Sequence, residues 1–183
     1  VMLHNREDTD SVYMIQHLSR ILNYALRIKE YIVPLRAEIS SLESYVTILN
    51  LRLGNSFDTE WKIPPSLLDT KTLKSLMQPL IENSIEHGIQ KLPSNKRGKL
   101  TIEVSELNNT LYITVTDNGV GFDNAKLQEI NNAIHSNEVF QNEHIGLKNV
   151  AGRIKLLFGN SGGCQIESNS EHTSVTIYHP IIE

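Results

Sequence analysis

The order of patterns along this sequence predicts an α/β protein, a two-layer α/β sandwich preceded by two helices. Three observations carry that reading. Residues 12–53 repeat apolar side chains at three- and four-residue steps, the period of a helical face. Two later stretches, 99–107 with 111–116 and 165–168 with 174–178, alternate apolar and polar residues about short turns, the mark of β-hairpins. Helix–strand alternation is incomplete, so a doubly wound Rossmann sheet fits less well.

Each element follows in order. From Asp10 onward Val12, Ile15, Leu18, Leu22, Ala25 and Leu26 line one face of a first helix. Asp8, Thr9 or Asp10 caps its start, since their side-chain oxygens accept the free N–H groups of a first turn. Pro34 breaks the run. Leu35, Ile39, Leu42, Val46, Leu49 and Leu53 form a second helical face, with Glu38 and Glu43 on its polar side. Gly54 closes it, being suited to the left-handed position after a helix. The pair reads as a helical hairpin or dimerisation element, or equally as a cover for the domain that follows. Residues 55–63 read as a strand ended by Pro64 and Pro65.

Leu76, Leu80, Ile81 and Ile85 then predict a helix over 73–88, with Glu82, Asn83 and Glu86 on its polar side. Pro79 fits its first turn, where a missing N–H costs nothing. Asn108, Asn109 and Thr110 separate the first hairpin strands, and Asp117-Asn118-Gly119-Val120-Gly121 ends the second of them. Ala125, Leu127, Ile130 and Ile134 indicate a helix within the polar stretch 124–145, the remainder reading as loop. Val150, Ile154, Leu157 and Phe158 mark a last helix stopped by Gly159, before the closing hairpin.

Composition excludes several classes. The 183 residues are 39% hydrophobic and 21% charged, which fits neither disorder nor a membrane span. No apolar run reaches the ~18 residues a spanning helix needs, and no signal-peptide pattern opens the chain. The net charge of -4, with 17 scattered Lys and Arg, argues against a nucleic-acid surface. A single cysteine, Cys164, rules out an internal disulfide and reads as a small residue packed in a strand; a reducing, cytoplasmic setting is the simpler one.

Familiar signatures are absent or misplaced. There is no phosphate-binding G-x-x-x-x-G-K-[ST] and no G-x-G-x-x-G. Gly159-Asn160-Ser161-Gly162-Gly163 matches G-x-S-x-G, but a nucleophile elbow needs a strand before the serine, and here a helix precedes it, so a helix stop and turn is the better reading. Seven histidines show no metal-ligand spacing. Three stretches remain. Glu82-Asn83 offers adjacent hard oxygen groups of the kind Mg²⁺ accepts. Asp117 precedes Gly119 and Gly121: an aspartate can accept from an exocyclic amine, and glycines let backbone lie against a flat ring. Gly146-Leu147-Lys148-Asn149 opens a helix, where free N–H groups and a lysine can cradle phosphate. Taken singly, each is also ordinary: a solvated helix face, a turn and a helix start.

In this order the three resemble sensor histidine kinases of the LytS/YesM type. Gln78-Pro79-Leu80-Ile81-Glu82-Asn83-Ser84-Ile85-Glu86-His87-Gly88 resembles their N box. Asp117-Asn118-Gly119-Val120-Gly121-Phe122 resembles the first glycine box. Ile145-Gly146-Leu147-Lys148-Asn149-Val150, with Arg153 and the Leu157-Phe158-Gly159 stop, resembles the second. The likeness extends to residues 18–24 and 35–48 as the helical segment joined to the catalytic domain, and to the Thr173–Ile177 stretch with Pro180 as its carboxyl end.

The resemblance implies a Bergerat-type ATP-binding fold over 55–183, preceded by a helical segment over 1–54 left from the dimerisation and phosphoacceptor region. It implies ATP and Mg²⁺ as cofactors, with Glu82 and Asn83 catalytic and Asn83 on the metal. His87, Asp117, Gly119, Gly121, Gly146, Leu147, Lys148, Asn149 and Thr173 would meet the nucleotide, Asp117 at adenine, under a lid spanning 123–145. The implied partners are a response regulator protein and, in the full-length protein, a second copy; the implied place is the cytoplasmic side of a membrane-anchored sensor. Three positions depart from the family pattern: Glu86 stands where a basic residue is usual, and His144 and His172 where glycines are frequent. An Asn-Pro-His-Phe-like acceptor run is missing, since His4 lacks that context and His17 lies in the later helix. The competing readings are a nucleotide-binding or interaction module without turnover, and an ATPase or serine kinase of the same fold.

Overall fold

The computed structural model describes residues 2–135 and 145–183. Helix α1 (Met2–Arg27) leads through strand β1 (Ile32–Pro34) into α2 (Leu35–Arg52). Strands β2 (Phe57–Lys62) and β3 (Lys71–Leu73) follow, then α3 (Gln78–Asn83), β4 (Gly98–Leu107), β5 (Thr110–Asp117), α4 (Asn124–His135), α5 (Ile145–Phe158), β6 (Gly163–Ser168) and β7 (Thr173–Pro180). The main sheet has the order β2-β4-β5-β7-β6, antiparallel except where β2 runs parallel to β4. A parallel pair needs a long crossover, which β3 and α3 supply. The two-layer α/β sandwich is therefore as the sequence indicates.

Alternation decides which sheet face is covered. Leu100, Ile102 and Val104 on β4, Leu111, Ile113 and Val115 on β5, and Val175 and Ile177 on β7 share one core with Leu35, Ile39, Leu42, Val46 and Leu49 of α2 and with Leu80, Ile81, Leu147, Val150 and Ile154. The opposite face carries cross-strand hydroxyl pairs, Thr114 with Thr176 at 2.9 Å and Thr116 with Ser174 at 3.0 Å. The β4–β5 turn places Asn108 and Asn109 at φ 52° and 61°, the left-handed pair that a two-residue hairpin requires.

Several boundaries depart from expectation. The first helix begins at Met2, not near Asp10, so Asp8, Thr9 and Asp10 lie within it; nothing between Met2 and Asp10 breaks a helix. Pro34 does not make a bare turn: Ile32–Pro34 pairs antiparallel with Lys71–Leu73 in a small second sheet. The helix expected over 73–88 starts only at Gln78, because Ser75 takes φ 55° and interrupts helical backbone. It then widens into a π-turn over Ser84–Gly88. Within the 123–145 stretch, residues 136–144, His144 among them, lie outside the described residues.

The small sheet is fastened to the large one by His179, which is fully buried. Its Nδ1 lies 2.7 Å from the Pro180 carbonyl, which can only accept, so Nδ1 carries the proton and Nε2 accepts from Thr72 at 3.0 Å.

Candidate functional site

Strand β5 keeps its inward phase to its last residue, so Asp117 follows Ile113 and Val115 into the covered layer and is 1% exposed. Its Oδ1 accepts the Gly119 N–H at 2.9 Å. Its Oδ2 is buried with no hydrogen-bond partner among the described residues. Burial raises the Asp117 carboxyl to about 6, against the opposing pull of the Gly119 amide, the Ser84 hydroxyl and His172. A buried acceptor left unmatched in a native fold calls for an explanation, and a bound donor supplies one.

Backbone closes on that carboxylate from two sides. A Cβ on Gly119 would fall 2.3 Å from Gly88 Cα, and one on Gly88 would fall 2.3 Å from Asp117 Oδ1. The π-turn at the end of α3 thus lies flush against the turn after β5. π-Turns of this kind are frequent at functional sites. Gly121, at φ 66°, rests against the Asn169 carbonyl in the β6–β7 turn. Ser168 completes the floor there: its hydroxyl accepts the Phe122 N–H and pairs with Thr173 Oγ1, both at 2.9 Å. Thr173 stands opposite Asp117 in the β5–β7 register and is buried.

The other expected residues divide between this floor and its rim. Asn83 is 7% exposed, so it faces inward, not on a solvated helix side as its neighbours' polarity indicates. Glu82 is half-buried and its Oε1 accepts from Tyr45 and Gln78, each at 2.9 Å. His87 is half-buried, and Glu86 points to solvent. Gly146 begins α5 beside Pro79, a Cβ there reaching 3.2 Å from the proline ring, so the starts of α3 and α5 adjoin. Leu147 is 1% exposed and anchors α5 in the core, Lys148 is half-buried and Asn149 is exposed. Residues 159–163 form the helix stop and strand start expected of them, and Cys164 is buried in β6. Tyr45, Gln78, Ser84 and Gly88 belong to the site without having been assigned a role in it. The signal available for Tyr45 is its place between Leu42 and Leu49, three and four residues away on the apolar face of α2.

Comparison with known proteins accounts for this arrangement. Residues 68–182 match the family of histidine kinase-, DNA gyrase B- and HSP90-like ATPases. The chain belongs to that family. Residues 1–57 match the histidine kinase family, and the two matches in this order bear out the resemblance to LytS/YesM-type sensor histidine kinases. An uncharacterized sensor-like histidine kinase of Staphylococcus epidermidis is 31% identical over 165 residues, covering 90% of this chain and 31% of that protein. The sensor protein kinase HptS of Staphylococcus aureus is 28% identical with the same coverages. The chain thus spans about a third (31%) of the length of these relatives. Among solved structures, the histidine kinase domain of the Erythrobacter litoralis EL346 blue-light activated kinase has TM-score 0.58 and 16% identity over 93% of this chain and 74% of that one. The Acinetobacter baumannii histidine kinase AdeS has TM-score 0.57 and 18% identity over 100% and 83%. At these identities the likeness is one of fold.

Proposed function

We propose that this chain is the ATP-binding catalytic part of a two-component sensor histidine kinase. It transfers the γ-phosphate of ATP to a histidine outside these residues, from which a response regulator protein receives it. The observation that carries the reading is the buried, unpartnered Asp117 Oδ2 between the backbones of Gly88 and Gly119. An acceptor at the back of a slot where a Cβ cannot fit suits the exocyclic amine of a flat purine such as adenine; guanine would present a carbonyl there.

The residues around that slot suit the remaining parts of the ligand. Gly121 and Thr173 would meet the nucleotide beside Asp117, and His87, Gly146, Leu147, Lys148 and Asn149 would meet its phosphate chain. Asn83 would hold Mg²⁺ through its amide oxygen, with Glu82 beside it; that ion keeps waters and phosphate oxygens as its other ligands and would neutralise charge on the transferring phosphoryl group. Phosphoryl transfer asks for placement and charge stabilisation more than for covalent chemistry, so a sparse set of side chains suffices. Functionally we divide the chain into a helical segment, 1–54, and a catalytic domain, 55–183, with α2 packed on the latter. Exposed Val12, Ile15, Leu18, Leu22 and Leu26 on α1 support pairing with a second copy. No helix among the described residues is long and apolar enough to cross a membrane, so anchoring in the full-length sensor would come from other residues.

The test is thermal denaturation with ATP, ADP and GTP, with and without Mg²⁺, followed by transfer from γ-labelled ATP to a longer protein that bears the acceptor histidine and Asp117→Ala. Adenine nucleotides at ~100 times their dissociation constant should stabilise the chain by roughly 2.7 kcal/mol, with GTP well below that. Binding without transfer would favour the nucleotide-binding module. Equal stabilisation by GTP would remove adenine reading by Asp117.

A further inference from the structure

The helical period puts Glu38 on the polar side of α2; it is instead 1% exposed. Its Oε2 accepts the Ser75 N–H at 2.8 Å and the Tyr24 hydroxyl, and its Oε1 accepts the N–H groups of Leu76 at 2.9 Å and Met77 at 3.3 Å. Those three amides immediately precede α3, which has no side-chain cap of its own. A carboxylate from α2 therefore does for α3 what a local capping residue does elsewhere, satisfying donors that a helix start leaves free. The left-handed Ser75, at φ 55°, turns the successive amides toward one point.

Lys74 and Ser75 are gripped from other directions. Arg153 of α5 donates to the carbonyls of Lys74 and Ser75, at 2.5 and 3.2 Å. Lys74 sends its ammonium to the carbonyls of Ala25 and Ile28 at the end of α1, and it lies 5.2 Å from the Tyr24 ring centroid. Burial first, and then the adjacent Glu38 carboxylate, push the Tyr24 phenol well above its usual range, so it remains a donor. Segment 74–77 thus joins the last turns of α1 to the short helix that carries Glu82 and Asn83.

We propose that Tyr24 and Glu38 form a latch through which the seating of α1 positions α3, and with it Glu82 and Asn83. The nucleotide consequence rests on the function proposed above. Glu38 and Tyr24 are positioning residues. When Tyr24 withdraws, the buried carboxylate loses one of four donors, its hold on Leu76 and Met77 loosens, and the start of α3 gains freedom, which reaches Glu82 and Asn83 at the other end because the helix is only six residues long. Coupling of this kind is reciprocal: if seating α1 favours nucleotide, nucleotide favours seating α1 by the same factor.

The experiment compares the 183-residue chain with Tyr24→Phe, which keeps the ring under Lys74 and removes only the hydroxyl. Amide exchange is followed at Leu76 and Met77, in the last turn of α1, and at Ile113 and Val175 in the sheet as reference, each with and without Mg·ADP. The latch predicts exchange at least about tenfold faster at Leu76 and Met77 with the sheet unchanged, and ADP affinity weakened about three- to tenfold. ADP should slow exchange in the last turn of α1 in the parent chain and not in the variant. Unchanged exchange at Leu76 and Met77 overturns the proposal, as does uniform acceleration that includes Ile113 and Val175, which marks general loss of stability. A parent chain that binds no ADP would defeat the nucleotide reading, and the exchange at Leu76 and Met77 alone would then decide the latch.

Discussion

Tyr45 lies 37 residues before Glu82 in the chain, yet its hydroxyl donates to Glu82 Oε1 at 2.9 Å. Gln78, one turn earlier on α3, donates to the same oxygen at 2.9 Å. The carboxylate is thereby held by two helices at once. Burial, with the adjacent Glu82, pushes the Tyr45 phenol well above its usual range, so it stays a donor across the physiological span.

Tyr45→Phe should lower phosphoryl transfer roughly tenfold, the equivalent of ~1.4 kcal/mol, while leaving ADP affinity within about twofold. Transfer rates at saturating ATP and calorimetric titration with ADP separate the two effects. In a Glu82→Gln background the same change should cost almost nothing further, because its route to the reaction has gone.

Asp117→Ala should weaken adenine nucleotides by ~1–3 kcal/mol, the cost of leaving a buried amine unpaired, and should abolish preference over guanine nucleotides. Asn83→Ala should chiefly remove the Mg²⁺ dependence of binding. Parallel titrations with ADP and GDP, with and without metal, check both. Equal loss in the two variants regardless of metal would contradict this division of roles.

The pH response follows from the same carboxyl. With Asp117 raised from 3.8 to about 6, ionisation is disfavoured in the folded chain. Its contribution to stability is whole below pH 3.8 and is lost as pH rises through about 6, some 3 kcal/mol in all. Asp117→Asn should flatten that part of a urea-denaturation series taken from pH 4 to 8. A ligand amine on Oδ2 favours the anion, so ADP affinity should rise with pH over 5 to 7, by up to about tenfold per unit below 6. It should do so in the parent chain and not in the asparagine variant.

Cys164 should resist alkylation in the native state. It is 2% exposed, and burial pushes its thiol up to about 12. Iodoacetamide labelling should proceed only at the rate of opening and accelerate in step with denaturant, which mass spectrometry reads directly.

Legibility in the sequence tracked how local each cause was. The Asn108–Asn109 turn, the alternation of β4, β5 and β7, and the Gly54 and Gly159 stops depend on neighbours in the chain, and they lie within a residue or two of where the pattern predicts them. Asp117, Gly119 and Gly121 stand out in the sequence because a turn and an acceptor coincide in five residues. What escaped depends on distant partners. Nothing near Glu38 in the sequence says that it is buried, since its donors lie on segments 75–77 and at Tyr24. The three-residue strands Ile32–Pro34 and Lys71–Leu73 are too short for periodicity and exist only because they pair with each other.

The β5–β7 pairing also fixes when the slot can exist during folding. The β4–β5 hairpin closes over two residues and should form within ~1–10 μs, whereas β7 must return across α4, α5 and β6 to lay Thr173 beside Asp117. Until it does, Asp117 sits on an open edge with water on its carboxylate and no Ser168 or Asn169 beneath Gly121. Nucleotide capture is therefore expected to lag hairpin formation on refolding, making a fluorescent adenine analogue a clock for the last long-range step and leaving partly folded chains unable to sequester ATP.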